Sequence, residues 1–163
     1  MKLRERARDM KTINALLTGA EEQARAMGDA LPGAEHLLLA ALALSDGTAR
    51  RAFERTGADP DGFRDAIARA HDDALRSIGI EPPGESAFDV PALGRKGAFR
   101  STASARAVFQ AASDMARGDG GLRGAHVVAA VAGLEHGTAA RSLAAMGVDR
   151  DALAVAAREE AAR

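Results

Sequence analysis

The segment GAEHLLLAALALSDGTARRAF, beginning at Gly33, is answered further on by AHVVAAVAGLEHGTAARSL, beginning at Ala125. With His36 set over His126, ninety positions apart, Gly47, Thr48 and Ala49 fall on Gly137, Thr138 and Ala139. Gly57, Asp59 and Asp61 then fall on Gly147, Asp149 and Asp151 without a gap. Upstream, Ala15–Gly28 pairs with Ala107–Gly120 once two residues are removed from the loop that follows in the second copy. The chain is therefore a duplication. A fixed internal period makes each half one supersecondary unit that needs its neighbour to cover its apolar face.

Within each unit the pattern is helical. Ala15, Leu16, Ala20, Ala24 and Met27 recur at three- and four-residue spacing, and EHLLLAALAL is too rich in Ala and Leu for a half-exposed strand. Gly28, Gly47 and Gly57 stand where helices are expected to stop. Asp59 and Pro60 form a start signal: the carboxylate caps, and the proline takes the first helical position, where its missing N–H costs nothing. The second copy repeats the pattern through Val148, Asp149 and Ala152, giving four helices per repeat and about eight in all. Between the copies, Gly79–Ser101 gathers three of the five prolines among glycines and breaks the periodicity. This stretch is a linker, with Phe88, Val90, Leu93 and Phe99 available to pack it on the surface. The expected organisation is one domain over residues 1–163, with repeat one at 9–78, the linker at 79–100 and repeat two at 101–163.

Composition narrows the function. Charged residues are 28% of the chain and cancel to a formal net charge of −1, so no broad attraction to nucleic acid or to anionic membranes is expected. Cysteine is absent, which removes disulfides, thiolate zinc sites and a cysteine nucleophile. No apolar run follows the basic start and none is long enough to span a bilayer, so a cytoplasmic location is expected.

Motifs for chemistry are sparse. His36 and His126 occupy the same repeat position at the start of an apolar helix, where an imidazole fixes the first turn by local hydrogen bonding. His71 and His136 read as surface residues. There is no H-E-x-x-H, no nucleophile elbow and no phosphate-cradling G-x-x-x-x-G-K-[ST], and the GRKG at Gly94 is too short to be one. No catalytic residue, metal site or cofactor is expected. Glu35, in the first turn of its helix, either stabilises the helix dipole or takes a guanidinium in a bidentate grip. Thr102, in STAS, either caps a helix or lends its exposed N–H groups to an anion.

The order G-x-E-H, apolar helix, D/E-G, a small residue and Ala, then a closing G-x-D, resembles the Clp N-terminal repeat of ClpC- and ClpA-type unfoldases. The resemblance runs from about Thr12 to Ile67 and again from about Ser101 to Ala157. It implies an all-α fold of two pseudo-twofold-related four-helix repeats packed as one domain. It further implies a non-catalytic module that recruits substrates and adaptors to an ATP-driven ring. No Walker motif follows, so a stand-alone member is expected.

In ClpC-like members the resemblance implies a binding site for phosphorylated arginine, with the Glu of G-T-E-H on the guanidinium and a Thr at the front of each first helix on the phosphate. Repeat one keeps Glu35 but has Met10 at the Thr position, with Thr12 nearby; repeat two keeps Thr102 but has Ala125 in place of Glu. Each half-site retains one of two groups, and the duplicated sites read as having drifted. The resemblance also implies a surface for cyclic peptides near the front of repeat two, where Arg106 replaces a Lys and Ser101 an aromatic residue, with Phe99 beside it. The expected ligand-binding residues are Glu35, Thr102, Arg106 and Phe99. The expected role is adaptor or decoy for substrates, adaptors or peptide ligands of a ClpC-type unfoldase. The competing readings are a self-associating regulatory or structural subunit with another partner, and a hydrolase built around His36 and Glu35.

Overall fold

The computed structural model describes residues 2–80 and 99–163. Those residues are all-α, with helices α1 (Lys2–Ala26), α2 (Ala34–Leu42), α3 (Thr48–Arg55), α4 (Phe63–Ser77), α5 (Ala103–Ala116), α6 (Gly124–Ala132), α7 (Thr138–Ala145) and α8 (Arg150–Ala161). A 3₁₀ turn, Pro60–Gly62, leads into α4. The linker residues Phe88, Val90, Leu93 and Gly94 lie outside the described residues, as does most of the 79–100 stretch.

Why neither repeat suffices alone is visible in the packing. Helix α3 of the first copy lies on α8 of the second, and α7 of the second lies on α4 of the first. This reciprocal exchange is what a pseudo-twofold relation requires. At its centre α2 packs on α6. Every residue of α2 except Glu35, and every residue of α6 except Ala130, is buried. Helices apolar all round belong in the middle of a core, and the Leu and Val here are the apolar payload. The approach of the two central helices is set by a glycine: a Cβ on Gly124 would stand 3.0 Å from both the Ala41 carbonyl oxygen and the Ala49 Cβ. Phe53 and Phe63 meet edge to face at a ring separation of 6.4 Å in the first copy. Their counterparts, ninety positions on, are the equally buried Leu143 and Leu153.

The sequence signals held locally, with two corrections, at Gly47 and Ala15. Asp59 accepts a hydrogen bond from the Asp61 N–H at 2.9 Å, and Asp149 caps α8 from the Asp151 and Ala152 N–H groups. Gly57 and Gly147 adopt φ of 75° and 71°, and the residues after them donate back to the carbonyls of Phe53 and Leu143. Gly47, by contrast, does not stop α2: that helix ends five residues earlier, and Gly47, at φ 67°, precedes α3. Ala15 is exposed, the α1 stripe being Leu16, Ala20 and Ala24. The basic start of the chain is helical from Lys2, so α1 overruns the first turn of its repeat counterpart by some two turns.

Candidate functional site

The two repeat histidines do structural work. His36 Nδ1 accepts the Gly33 N–H at 2.8 Å and His126 Nδ1 accepts the Arg123 N–H at 3.0 Å, each supplying a helix cap from the third residue in. That fixes the proton on Nε2 in both rings. His126 Nε2 then donates to Asp119 Oδ2 at 3.1 Å. His36 Nε2 approaches Asp29 Oδ2 to 3.0 Å, but off the line of a hydrogen bond, and both atoms are left buried without a partner. The first helices of the two copies end alike, Gly28 and Gly120 at φ 78° and 77° with the next N–H donating back to Ala24 and Ala116. The two-residue difference therefore falls in the loop that follows, and Asp29 and Asp119 both reach the repeat histidine.

Glu35 is the one residue of α2 that is not buried, its side chain 12% exposed. Its carboxylate folds back over Gly33, where a Cβ would meet Oε2 at 2.7 Å. It stands with Asp29 and with His71 of α4, their ligating atoms all within 4.8 Å of one another. Sequence reasoning left His71 on the surface and expected no metal-ligating group. The fold brings these three side chains together from a loop and two helices.

The counterpart position is a different environment. Ala125 is fully buried, and its N–H donates to Thr48 Oγ1 of the other repeat at 2.9 Å. The preceding Gly124 N–H donates to Asp46 Oδ2 at 3.0 Å, while Asp46 Oδ1 holds the Thr48 N–H and hydroxyl. The front of α6 is thus capped by the first repeat, and a glutamate at 125 would have its carboxylate in the core. Ala125 is thus enclosed where Glu35 reaches the surface.

Thr102 caps α5, its hydroxyl accepting the Ala105 N–H at 3.2 Å, and its own N–H donates to the Pro32 carbonyl at 3.0 Å. Its counterpart Met10 sits in the interior of α1, where the backbone N–H groups are taken up within the helix. No helix N-terminus faces Glu35 from that position. Arg106 and Phe99, however, come together. Both line a groove of about 520 Å³ between α1, the α1–α2 loop and α5, with Leu17, Leu31, Ser101 and Phe109. Arg106 is exposed, and one of its guanidinium N–H groups donates to the Ser101 carbonyl at 2.9 Å, which orients the rest of the head into solvent. The floor is apolar and the rim cationic, a combination suited to a peptide with an apolar side chain and a nearby negative charge.

Comparison with known proteins finds its match in the first half of the chain. Residues 11–87 match the Clp repeat (R) N-terminal domain family. The first repeat is similar to a Clp N-terminal repeat. The chain also resembles chaperone protein ClpC1, chloroplastic, of Oryza sativa subsp. japonica, with 37% identity over 65 residues. That alignment covers 40% of this chain and 7% of the relative, so the chain spans a small part of the length of the curated relative it matches. The Clp repeat is a module of protein interaction in the Clp system, and the reciprocal helix exchange gives its second copy the same core. No described helix is long and apolar enough to cross a membrane.

One further cluster joins the copies. Glu160 of α8, 2% exposed, accepts from Arg51 Nε at 3.0 Å and from Arg55 Nη1 and Arg163 Nη1 at 3.2 Å each. The hydrogen bond from Arg51 holds its carboxyl below the usual range, against the opposing effect of burial. Glu159 pairs with Arg55 alongside. The counterpart of Glu160 is Ala70, so this link exists on one side of the pseudo-twofold only.

Proposed function

We propose that this protein is a non-catalytic binding module of a cytosolic Clp proteolysis system, acting as adaptor or decoy for protein and peptide partners of a ClpC-type unfoldase. The observation that carries this reading is the groove of Phe99, Arg106, Leu17, Leu31 and Phe109, set on a Clp repeat fold. Its apolar floor and free guanidinium face offer one apolar anchor and one charge-assisted contact, the minimum for selecting a peptide. Adaptors and cyclic peptides are the ligand classes this chemistry suits.

The phospho-arginine half-sites are degenerate in this reading. In repeat one Glu35 is available for a guanidinium, but Met10, exposed in the middle of α1, brings neither a hydroxyl nor a free backbone N–H for a phosphate. In repeat two Thr102 stands at a helix start, but Ala125 is in the core. Losing a charge-assisted partner costs about 1.5–3 kcal/mol, roughly tenfold to over a hundredfold in affinity. Recognition is accordingly placed on the groove.

The test is capture of purified ClpC-type unfoldase, its adaptors and its substrates on the immobilised chain, in parallel with Arg106→Glu and Phe99→Ala. Retention of a Clp component by the wild type and its loss in both variants is the expected result. Failure to retain any of them, or retention indifferent to both substitutions, overturns the proposal.

A further inference from the structure

The copies differ at two positions that face one another. Glu35 and His71 of repeat one correspond, ninety positions on, to Ala125 and Ala161. In repeat one these side chains meet Asp29, the ligating atoms of all three lying within 4.8 Å of one another. In repeat two both are alanine, and Asp119, the counterpart of Asp29, instead takes the hydrogen bond from His126. The carboxylate and the imidazole are thus present together in one copy and missing together in the other.

The electrostatics of the repeat-one cluster are incomplete as they stand. Among the described residues neither Asp29 nor Glu35 pairs with a lysine or arginine; each meets only histidine nitrogen. Two carboxylates at this separation repel, the more so where solvent is partly excluded. Behind them, His36 is 1% exposed, and its Nε2 points at Asp29 Oδ2 without forming the hydrogen bond that the equivalent pair makes in repeat two. A buried donor of this kind behind a carboxylate is the arrangement that orients a ligating oxygen from the outer shell.

We propose that Asp29, Glu35 and His71 bind a divalent cation of the zinc class. Two carboxylate oxygens and one imidazole nitrogen form the mixed donor set that Zn²⁺ accepts with a fourth position left to water. One divalent charge neutralises the two carboxylates. The ligands come from the α1–α2 loop, the first turn of α2 and the middle of α4, so the ion ties α4 to the front of α2, two helices with few other contacts. Bound there, the cation also removes Glu35 from any guanidinium. This inference goes beyond the groove and does not depend on it.

Calorimetric titration of the tag-free, chelator-stripped full chain with Zn²⁺ tests it, alongside His71→Ala and Glu35→Ala, which copy the repeat-two residues, and His136→Ala as a control on an exposed histidine. One equivalent bound by the wild type and by His136→Ala is expected, with affinity lowered more than about tenfold in each of the other two variants. The ring resonances of His71 should move on addition of the ion. Absence of a stoichiometric site in the wild type overturns the proposal, as does a site that His71→Ala leaves intact. All the substituted side chains lie at or near the surface, and helical circular dichroism of each variant separates lost binding from lost folding.

Discussion

His126 Nε2 donates to Asp119 Oδ2 at 3.1 Å while the other ring nitrogen accepts the Arg123 N–H, so one neutral imidazole closes the loop before α6 at both ends. The ring is 1% exposed. His126→Ala is expected to lower stability by about 2–4 kcal/mol, from the stranded Arg123 N–H together with the cavity. Asp119→Ala, at a more exposed position, should cost about 1 kcal/mol. Urea unfolding followed by circular dichroism measures both.

Ala125→Glu restores the G-x-E-H pattern to repeat two but places a carboxylate at a fully buried position beside Thr48 and Ala49. It should destabilise by about 3 kcal/mol or more and create no new ligand site. Glu35→Ala, by contrast, should change stability by less than about 1 kcal/mol. Denaturant midpoints of the two variants distinguish a position folded inward from one that had merely drifted.

Gly124→Ala brings a methyl to 3.0 Å from the Ala41 carbonyl oxygen and the Ala49 Cβ. Those neighbours are backbone or a β-carbon fixed to it, so α2 and α6 must separate. A loss of about 1–3 kcal/mol is expected, although alanine is the better helix former. The thermal midpoint reports it.

Glu160 is held ionised in the fold by Arg51, Arg55 and Arg163, which lowers its pKa below the unfolded value. Its stabilising effect is therefore fully present above the unfolded-state pKa and is lost as pH falls through the lower, folded-state pKa. Glu160→Gln should reduce stability at neutral pH by about 1 kcal/mol, a figure kept small because the arginines are partly exposed. The difference between variant and wild type should shrink as the solution is acidified through the carboxylate range. Unfolding free energies at a series of pH values check the sign.

Free phospho-arginine should show no binding in the micromolar range, since Met10 offers no hydroxyl or free helix N–H in mid-α1 and Ala125 is buried in the core. Calorimetry on the wild type and on Glu35→Ala should give indistinguishable traces.

What was legible in the sequence follows from what a repeat encodes. Local signals such as Asp59–Pro60, the stop at Gly57 and the all-apolar run after His36 act through nearest neighbours, and the helices follow them. The reciprocal placement of α3 on α8 and α7 on α4 follows once neither copy can cover itself. Gly47 misled because a left-handed glycine precedes a helix as readily as it ends one. The first turns of α1 are charged and carry no apolar stripe, and a solvated helix needs none.

At the groove, Phe99 and Arg106 came from the resemblance alone, while Leu17 and Leu31, which line it with them, belong to the other repeat and carried no signal of their own. Asp29 and Asp119 lie in the loop where the copies differ in length, so their shared place beside the histidine is visible only in the fold. His71 carried no motif. What singles it out is its loss, together with the glutamate, in the second copy, and that is readable only once the fold shows that the two positions face each other.

The most direct measurement is the rate at which a ClpC-type unfoldase and its protease degrade a tagged substrate as this chain is titrated in, wild type against Arg106→Glu. The account predicts a saturable change in rate with the wild type, upward for an adaptor and downward for a decoy, and none with the variant. A rate unaffected by the wild-type chain, or changed equally by both, would contradict it.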